Sequence, residues 1–204
     1  MPHLSPKAEL RAAIDRLRRG IPPEEIEARS RAAAEHLLAL PPIARPDLST
    51  VALYLPLPGE IRTEAIWEAL VGRGVRCVFP RVERGRRVLR FYPLRPGDPV
   101  ERGPLGVRQP PAIDEVPLVE IEAFVVPGQA FDELGGRLGR GGGYYDATLA
   151  EAPHAERIGI GFDEQLLPLV PMLPHDVPLD WVVTSSRALR CQPGRTRSSA
   201  RGPW

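Results

Sequence analysis

The sequence predicts a single three-layer α/β/α domain with a largely parallel, Rossmann-like central sheet. Through the middle of the chain, short apolar runs of strand length alternate with helical patterns, and many of the 25 prolines lie between those runs. Strands that alternate with helices form parallel sheets covered by helices on both faces. The length of 204 residues suits one such domain.

Four helices are predicted from their start and stop signals. Ser5-Pro6 supplies an N-cap and a first-turn proline, and Gly20 ends this first helix. The apolar positions that predict its buried face are Leu10, Ile14 and Leu17. The basic positions that fall on another face are Lys7, Arg11 and Arg18. The other helices are predicted at residues 22–40, 63–71 and 144–150.

Six short apolar runs predict the strands. They are residues 51–55, 75–79, 88–92, 123–126, 157–162 and 181–184. Pro80 is expected to stop the second strand, because proline cannot donate to a strand ladder. Residues 95–118 predict a long ordered loop. The domain is expected to span residues 1–189, and residues 190–204, rich in Arg, Ser, Gly and Pro, predict a disordered tail.

Composition gives no support to several broad classes of function. The formal net charge is only +1, which points neither to nucleic acid nor to a membrane surface. Cys77 is expected to be buried and Cys191 to lie in the polar tail, with no disulfide between them. The first residues lack a signal-like apolar stretch, and no run reaches the ~20 apolar residues that cross a bilayer. We therefore expect a cytoplasmic location. We also expect a monomer.

The glycine-rich segment at residues 127–146 is the most informative part of the chain. Glycine lets the backbone adopt positive φ and approach a ligand, and successive N–H groups before a helix can bind one anion. Arg137 and Arg140 add planar donors for phosphate oxygens, and Asp146 can hold a divalent cation. The same residues also fit a tight, solvent-exposed strand-to-helix turn, and the GxxxxGK[ST] pattern is absent.

The string AFDELGGRLGRGGGYYD at residues 130–146 resembles the signature of the 5-formyltetrahydrofolate cyclo-ligase family. Further similarity lies in KAELR at 7–11, LYL at 53–55, EIRT at 60–63, IGIGF at 158–162 and HDVPLD at 175–180. The resemblance implies conversion of 5-formyltetrahydrofolate, with ATP and Mg²⁺, into 5,10-methenyltetrahydrofolate, ADP and phosphate. It also implies that a phosphorylated formyl group, an imidate, forms on the way.

The resemblance also implies roles for individual residues. Catalysis is assigned to Arg137, Arg140 and Tyr145. ATP is assigned to Lys7, Arg11, Arg137, Leu138, Gly139, Arg140, Gly141, Gly142, Gly143, Tyr144 and Tyr145. The folate substrate is assigned to Leu55 and Glu60, and Mg²⁺ to Asp146 and Asp176. One departure is Gly142, where some members of the family carry lysine.

Simpler roles stay open for most of these residues. Lys7 and Arg11 also fit a solvated helix face, the two tyrosines fit core packing, and Glu60 fits a surface loop. Three other functions also remain. The first is an enzyme such as a sugar-phosphate isomerase or coenzyme A transferase, which shares this architecture. The second is a non-catalytic relative that binds folate or nucleotide. The third, a nucleic-acid role, rests only on the arginines from Arg187 to Arg201.

Overall fold

A computed structural model describes residues 5–192 as a mixed α/β fold around one seven-stranded sheet. The helices are α1 (Pro6–Arg19), α2 (Pro23–Leu38), α3 (Pro41–Ala44), α4 (Glu64–Gly72) and α5 (Tyr144–Ala150). The strands are β1 (Thr50–Ala52), β2 (Arg76–Arg81), β3 (Arg90–Pro93), β4 (Glu101–Arg102), β5 (Arg108–Gln109), β6 (Ala123–Pro127), β7 (Ala130–Phe131), β8 (Arg137–Leu138), β9 (Glu156–Ile160), β10 (Trp181–Val183) and β11 (Ala188–Arg190).

The main sheet has the order β11-β10-β9-β6-β1-β2-β3. Its five central strands are parallel, and the outer strands β3 and β11 pair antiparallel with their neighbours. The predicted α/β class with a largely parallel sheet is therefore confirmed. After β1, the chain adds β2 and β3 on one side of the sheet. From β6 onward it adds β9, β10 and β11 on the other side. Sheets of this kind bind ligands at the point where the strand order reverses, which here lies between β1 and β6.

Both faces of the sheet are covered. Along β1 and just beyond it, Val51 and Leu53 join one buried cluster while Ala52 joins the other, as the alternation of side chains along a strand requires. Leu37 of α2 belongs to the first cluster, and Leu149 of α5 belongs to the second. The sheet therefore lies between two helical layers.

Most predicted elements are present, although α3, β4, β5, β7, β8 and β11 were not predicted. The expectation that Pro80 stops β2 was wrong, because the strand continues to Arg81. Beyond Val78 this strand pairs only with β3, so one of its edges is free there. A strand edge tolerates proline, which has no N–H to donate. The loop at 95–118 contains the short β4–β5 hairpin. Cys191, expected in a polar tail, is buried beside the unpredicted strand β11, and its N–H donates to the Asp180 carbonyl at 2.8 Å.

Helix α1 buries only part of the face that its apolar spacing predicts, because Leu10 and Ile14 pack inward and Leu17 does not. Ile14 is buried, but Leu17 is 54% exposed, whereas Arg18 is only 5% exposed. The expectation for Leu17 was therefore wrong. The basic positions Lys7, Arg11 and Arg18 also turn toward the protein, because they find carbonyl and carboxylate partners there.

The predicted tail lies mostly outside the described residues, which end at 192. Within residues 5–192, no helix has the length and apolar character needed to cross a membrane.

Candidate active site

A cavity of about 530 Å³ opens at the carboxyl ends of the central strands. Glu60 follows β1, Pro80 lies near the end of β2, and Gly128 follows β6, so three neighbouring strands deliver their following loops to one place. Parallel strands all end at the same edge of the sheet, which is why distant sequence segments meet there. This edge of the sheet is therefore the candidate site.

The first half of the glycine-rich segment, residues 130–138, is a mostly buried hairpin that supports the cavity. Strands β7 and β8 form a short hairpin, and the carboxylate of Asp132 organises its turn. One Asp132 oxygen accepts the N–H groups of Leu134 and Gly136 at 3.0 and 2.7 Å, and the other accepts that of Val170 at 2.7 Å. Charged acceptors form strong hydrogen bonds of this kind, so the hairpin is held firmly under the cavity.

The second half of the segment borders the cavity. Residues 139–143 all line it, and the chain then enters α5. Gly141 and Gly143 have φ angles of +101° and +69°, in the region that disfavours side-chain-bearing residues. The backbone of this half is therefore available to a ligand, with the first turn of a helix directly behind it.

The basic face of α1 docks against the same cavity. Lys7 Nζ lies 2.7 Å from Asp176 Oδ2, and Arg11 Nε donates to the Gly139 carbonyl at 2.8 Å. Burial alone raises the pKa of Asp176, but hydrogen bonds from Lys7 and the Leu173 N–H lower it below its ordinary value. Lys7 and Arg11 are thus part of the site and do not lie on a free solvated face.

Arg137 is a buried cation with an unused donor. Its Nη2 lies 3.0 Å from Asp146 Oδ2, and its Nη1 donates to the Pro127 carbonyl at 3.3 Å. Its buried Nε has no hydrogen-bond partner within residues 5–192, although Arg137 lines the cavity. Buried donors are rarely left unpaired, so this atom marks a place for an acceptor from a ligand.

Tyr145 lies next to Arg137. The Arg137 guanidinium carbon is 5.5 Å from the centre of the Tyr145 ring, within the range of a cation–π contact. Burial raises the pKa of the Tyr145 phenol well above its ordinary value, although the charge of Arg137 opposes the shift. The phenol is therefore protonated at neutral pH. Both Tyr144 and Tyr145 also pack against the second core cluster, as the simpler interpretation expects.

Glu60 and Arg140, which the resemblance assigns to different ligands, pair with each other. Arg140 Nη2 lies 3.0 Å from Glu60 Oε1, and the same oxygen is 3.9 Å from Arg18 Nη2. Glu60 is 8% exposed, so it is not a surface-loop residue. This pair places the predicted phosphate-binding and folate-binding groups next to each other.

The two predicted metal ligands lie in the same cavity but do not form a dense acidic cluster. Asp146 Oδ1 accepts the N–H of Val177, which follows Asp176, so both carboxylates belong to one small region. No group of three possible metal ligands occurs in the part of the chain that the structure describes. Magnesium commonly needs only one or two carboxylates when phosphate oxygens complete its shell, so the residues fit Mg²⁺ bound together with a nucleotide.

The rest of the lining is mostly apolar and was not predicted. These residues are Leu57, Pro80, Val82, Leu89, Val107, Pro127 and Leu173. Arg108 and the exposed His175 also line the cavity, whereas Leu55 does not and instead packs against the first core cluster. Counting the charged lining residues gives five Lys or Arg side chains against three carboxylates, an excess of positive charge that suits an anionic ligand.

A sequence profile of the 5-formyltetrahydrofolate cyclo-ligase family matches residues 4–185. The chain belongs to this family. The 5-formyltetrahydrofolate cyclo-ligase of Mycolicibacterium smegmatis is 33% identical over 191 residues, covering 90% of this chain and 95% of that one. That of Escherichia coli is 32% identical over 179 residues, covering 85% and 97%.

Solved structures of cyclo-ligases, also named methenyltetrahydrofolate synthetases, have the same fold. The Aquifex aeolicus 5,10-methenyltetrahydrofolate synthetase matches with a TM-score of 0.78 and 26% identity over 97% of this chain and 99% of that one. The Mycoplasma pneumoniae synthetase matches with a TM-score of 0.72 and 25% identity over 88% and 99%. The predicted family and the prediction of an enzyme are therefore confirmed.

Proposed function

We propose that this cyclo-ligase uses ATP and Mg²⁺ to convert 5-formyltetrahydrofolate into 5,10-methenyltetrahydrofolate, with release of ADP and phosphate. One observation carries the proposal. A single cavity contains both the cationic, glycine-rich segment that suits a triphosphate and the apolar lining with a buried carboxylate that suits a pterin. Membership of the family supports this reaction, and the cavity offers a place for both substrates.

The chemistry explains why two substrates must share one cavity. The formyl group is amide-like and a poor electrophile, so its oxygen first takes the terminal phosphoryl group of ATP, which leaves ADP. The resulting imidate is attacked by N10 of the folate, and the formyl oxygen departs with phosphate to give the methenyl bridge. Such a sequence needs positioning and charge neutralisation more than a protein nucleophile.

The cationic side chains would neutralise the phosphates. Lys7 and Arg11 approach from α1, and Arg137 offers its unpaired Nε from below. Arg140 would contact the transferred phosphoryl group, and the N–H groups of residues 139–143 would add uncharged donors. Tyr145, held protonated by burial, would act as a donor or as a support for Arg137, and not as a base.

Glu60 would orient the folate. A carboxylate can accept a pair of hydrogen bonds from the pterin amino group and ring N–H, and burial strengthens such bonds. The apolar residues around it, such as Leu57 and Val82, would contact the ring system. Leu55 stays a predicted substrate contact, although it packs against the first core cluster and does not line the cavity.

Asp146 and Asp176 would hold Mg²⁺, which, when bound, supplies charge neutralisation across the phosphate oxygens. Both carboxylates are ion-paired in the structure, with Arg137 and Lys7 respectively. Those two cations would then turn to phosphate oxygens when the nucleotide and metal arrive together. The monomeric state stays a prediction. The cytoplasmic location stays a prediction.

The test is to mix the protein with 5-formyltetrahydrofolate, ATP and Mg²⁺ and follow absorbance from the conjugated methenyl product. Product should appear with stoichiometric ADP and phosphate, and omission of ATP or Mg²⁺ should abolish it. Asp146→Asn and Asp176→Asn should each raise the Mg²⁺ concentration needed for half-maximal turnover, while Asp98→Asn, in an exposed turn, should not. Unaltered metal dependence in both site variants would contradict the metal assignment, and product formed without ATP would contradict the reaction.

A further inference from the structure

The buried Glu60 carboxylate lies between two arginines that are held in very different ways. Its Oε1 accepts hydrogen bonds from Arg140 Nε and Nη2 at 3.3 and 3.0 Å and lies 3.9 Å from Arg18 Nη2. Its Oε2 accepts the N–H of Leu57 at 3.0 Å. A carboxylate that is only 8% exposed depends on such partners, because an unpaired buried charge is strongly destabilising.

Arg18 is fixed in place. It is 5% exposed, its Nε donates to the Gly59 carbonyl at 2.7 Å, and its Nη1 donates to Gln129 Oε1 at 3.3 Å. Gln129 is itself tied to β8, because its N–H donates to the Leu138 carbonyl at 2.6 Å. Arg18 therefore links α1 to the loop after β1 and to the loop after β6.

Arg140 is free to move by comparison. Its side chain is 49% exposed, and it lies between Gly139 and Gly141 in the exposed half of the glycine-rich segment. Within residues 5–192, its guanidinium donates only to Glu60. Burial lowers the pKa of the Arg18 guanidinium, Glu60 opposes that shift, and the nearby charge of Arg140 adds to it, as expected when two cations share one carboxylate.

We propose that Arg18 is a positioning residue, the permanent counter-charge of Glu60 that allows Arg140 to leave that carboxylate for the phosphates of ATP. The inference rests on the proposed function, since it assumes that Arg140 and Glu60 serve the two substrates. Without Arg18, departure of Arg140 would leave a buried carboxylate with no cation beside it. With Arg18 in place, Arg140 can exchange partners at a small cost.

The exchange also links the two substrates. When pterin donors occupy Glu60, Arg140 loses its protein partner and becomes available to phosphate. Each substrate should therefore improve the binding of the other, and such coupling is reciprocal. Arg18 sets how strong the coupling is, because it determines how tightly Glu60 holds Arg140 when no folate is bound.

The test measures binding of the β,γ-imido analogue of ATP with Mg²⁺ by calorimetry, with and without 5-formyltetrahydrofolate. In Arg18→Met, affinity for the analogue without folate should fall about tenfold, the size expected for tightening one charged hydrogen-bonded pair. Saturating folate should restore most of the loss. The neighbouring, exposed Arg19→Met is the matched control and should bind like wild type.

Two further variants separate positioning from packing. Arg18→Lys keeps the charge but not the planar fork, so its loss should be intermediate. In a Glu60→Gln background there is no carboxylate to hold Arg140, so adding Arg18→Met should change analogue affinity by less than about twofold. If Arg18→Met does not fold, the wild type still tests the idea: folate should tighten analogue binding a few-fold, and Arg140→Met should abolish that effect.

An Arg18→Met protein that melts at a lower temperature but keeps wild-type analogue affinity, both with and without folate, would show that Arg18 only packs. Equal analogue affinity with and without folate in the wild type would also overturn the exchange. Failure of the proposed function is a separate result, because it would appear as wild-type protein that forms no methenyl product.

Discussion

The two halves of the glycine-rich segment use glycine for different physical reasons. In the buried half, a Cβ on Gly135 would lie 2.4 Å from the Leu179 carbonyl oxygen, and one on Gly136 would lie 2.4 Å from the Asp132 carboxylate. In the half that borders the cavity, a Cβ on Gly143 would have no heavy atom within 4 Å. The first glycines allow close packing, and the later one supplies a backbone angle next to empty space.

The difference separates a folding requirement from a binding requirement within one motif. Residues 130–138 hold the hairpin under the cavity through buried contacts, whereas residues 139–143 line the cavity, where we propose that their backbone binds a ligand. Gly142 belongs to the second half, and a Cβ there would come within 2.7 Å of the Tyr144 ring. Lysine at this position, which the resemblance attributes to some members of the family, would therefore require that ring to turn aside.

The largest effect is expected from Gly135→Ala. The new methyl group meets a backbone carbonyl, and the φ of +83° is itself unfavourable for alanine. Together these should lower the free energy of unfolding by roughly 3 kcal/mol or more. Gly74→Ala is the matched control, since Gly74 has a φ of +80° but open space around it. If denaturant melts show equal losses of unfolding free energy for the two variants, the contact with the Leu179 carbonyl adds nothing to the cost at Gly135.

Asp132→Asn should have the next largest effect on stability. The carboxylate accepts three backbone N–H groups, and an amide nitrogen would face at least one of those donors. We expect a loss of roughly 1.5–3 kcal/mol in the free energy of unfolding. Asp98→Asn, which affects one hydrogen bond to the Arg95 N–H in an exposed turn, should lose far less. Chemical denaturation of the two variants makes the comparison.

Gly143→Ala should separate stability from binding. Its cost in stability should be about 1 kcal/mol, from the φ of +69° alone. The KM for ATP should rise roughly tenfold. The new methyl group should displace the backbone that we propose binds phosphate, and a small misplacement of binding groups has a large effect on the rate. Gly74→Ala should match the stability cost and leave the KM for ATP unchanged. A Gly143→Ala enzyme with normal ATP kinetics would mean that this half does not bind nucleotide.

The elements of the fold could largely be predicted, because their signals are local. Ser5-Pro6 and Gly20 gave the ends of α1 correctly, and α5 begins at Tyr144 as expected. What could not be predicted depends on contacts between distant segments. Apolar spacing assigned Leu17 to the interior, but Arg18 is buried instead because its carbonyl and carboxylate partners lie 41 or more residues away in sequence.

The candidate site divides in the same way. A long ordered motif identified the glycine-rich segment and its charged residues without any tertiary information. Leu57 and Val82 line the cavity because the sheet brings the loops after β1 and β2 to one edge, and Val107 lines it from the β4–β5 hairpin. Isolated loop residues carry no periodic signal. The pairing of Glu60 with Arg140 spans 80 residues and had no counterpart in the sequence pattern.

The most direct test of the account is steady-state kinetics of Glu60→Gln, with each substrate varied separately. The central claim is that one cavity holds ATP on the glycine-rich segment and folate at Glu60. Loss of the charged acceptor should lower kcat/KM for 5-formyltetrahydrofolate roughly ten- to hundredfold. Affinity for ATP should not fall, because Arg140 is released and Lys7 and Arg11 are untouched.

Glu64→Gln, at an exposed position that does not line the cavity, is the matched control, and a thermal melt of each variant checks folding. The account predicts a folate-specific defect in a protein that melts normally. A Glu60→Gln enzyme that keeps its folate KM and kcat but loses affinity for ATP would contradict it.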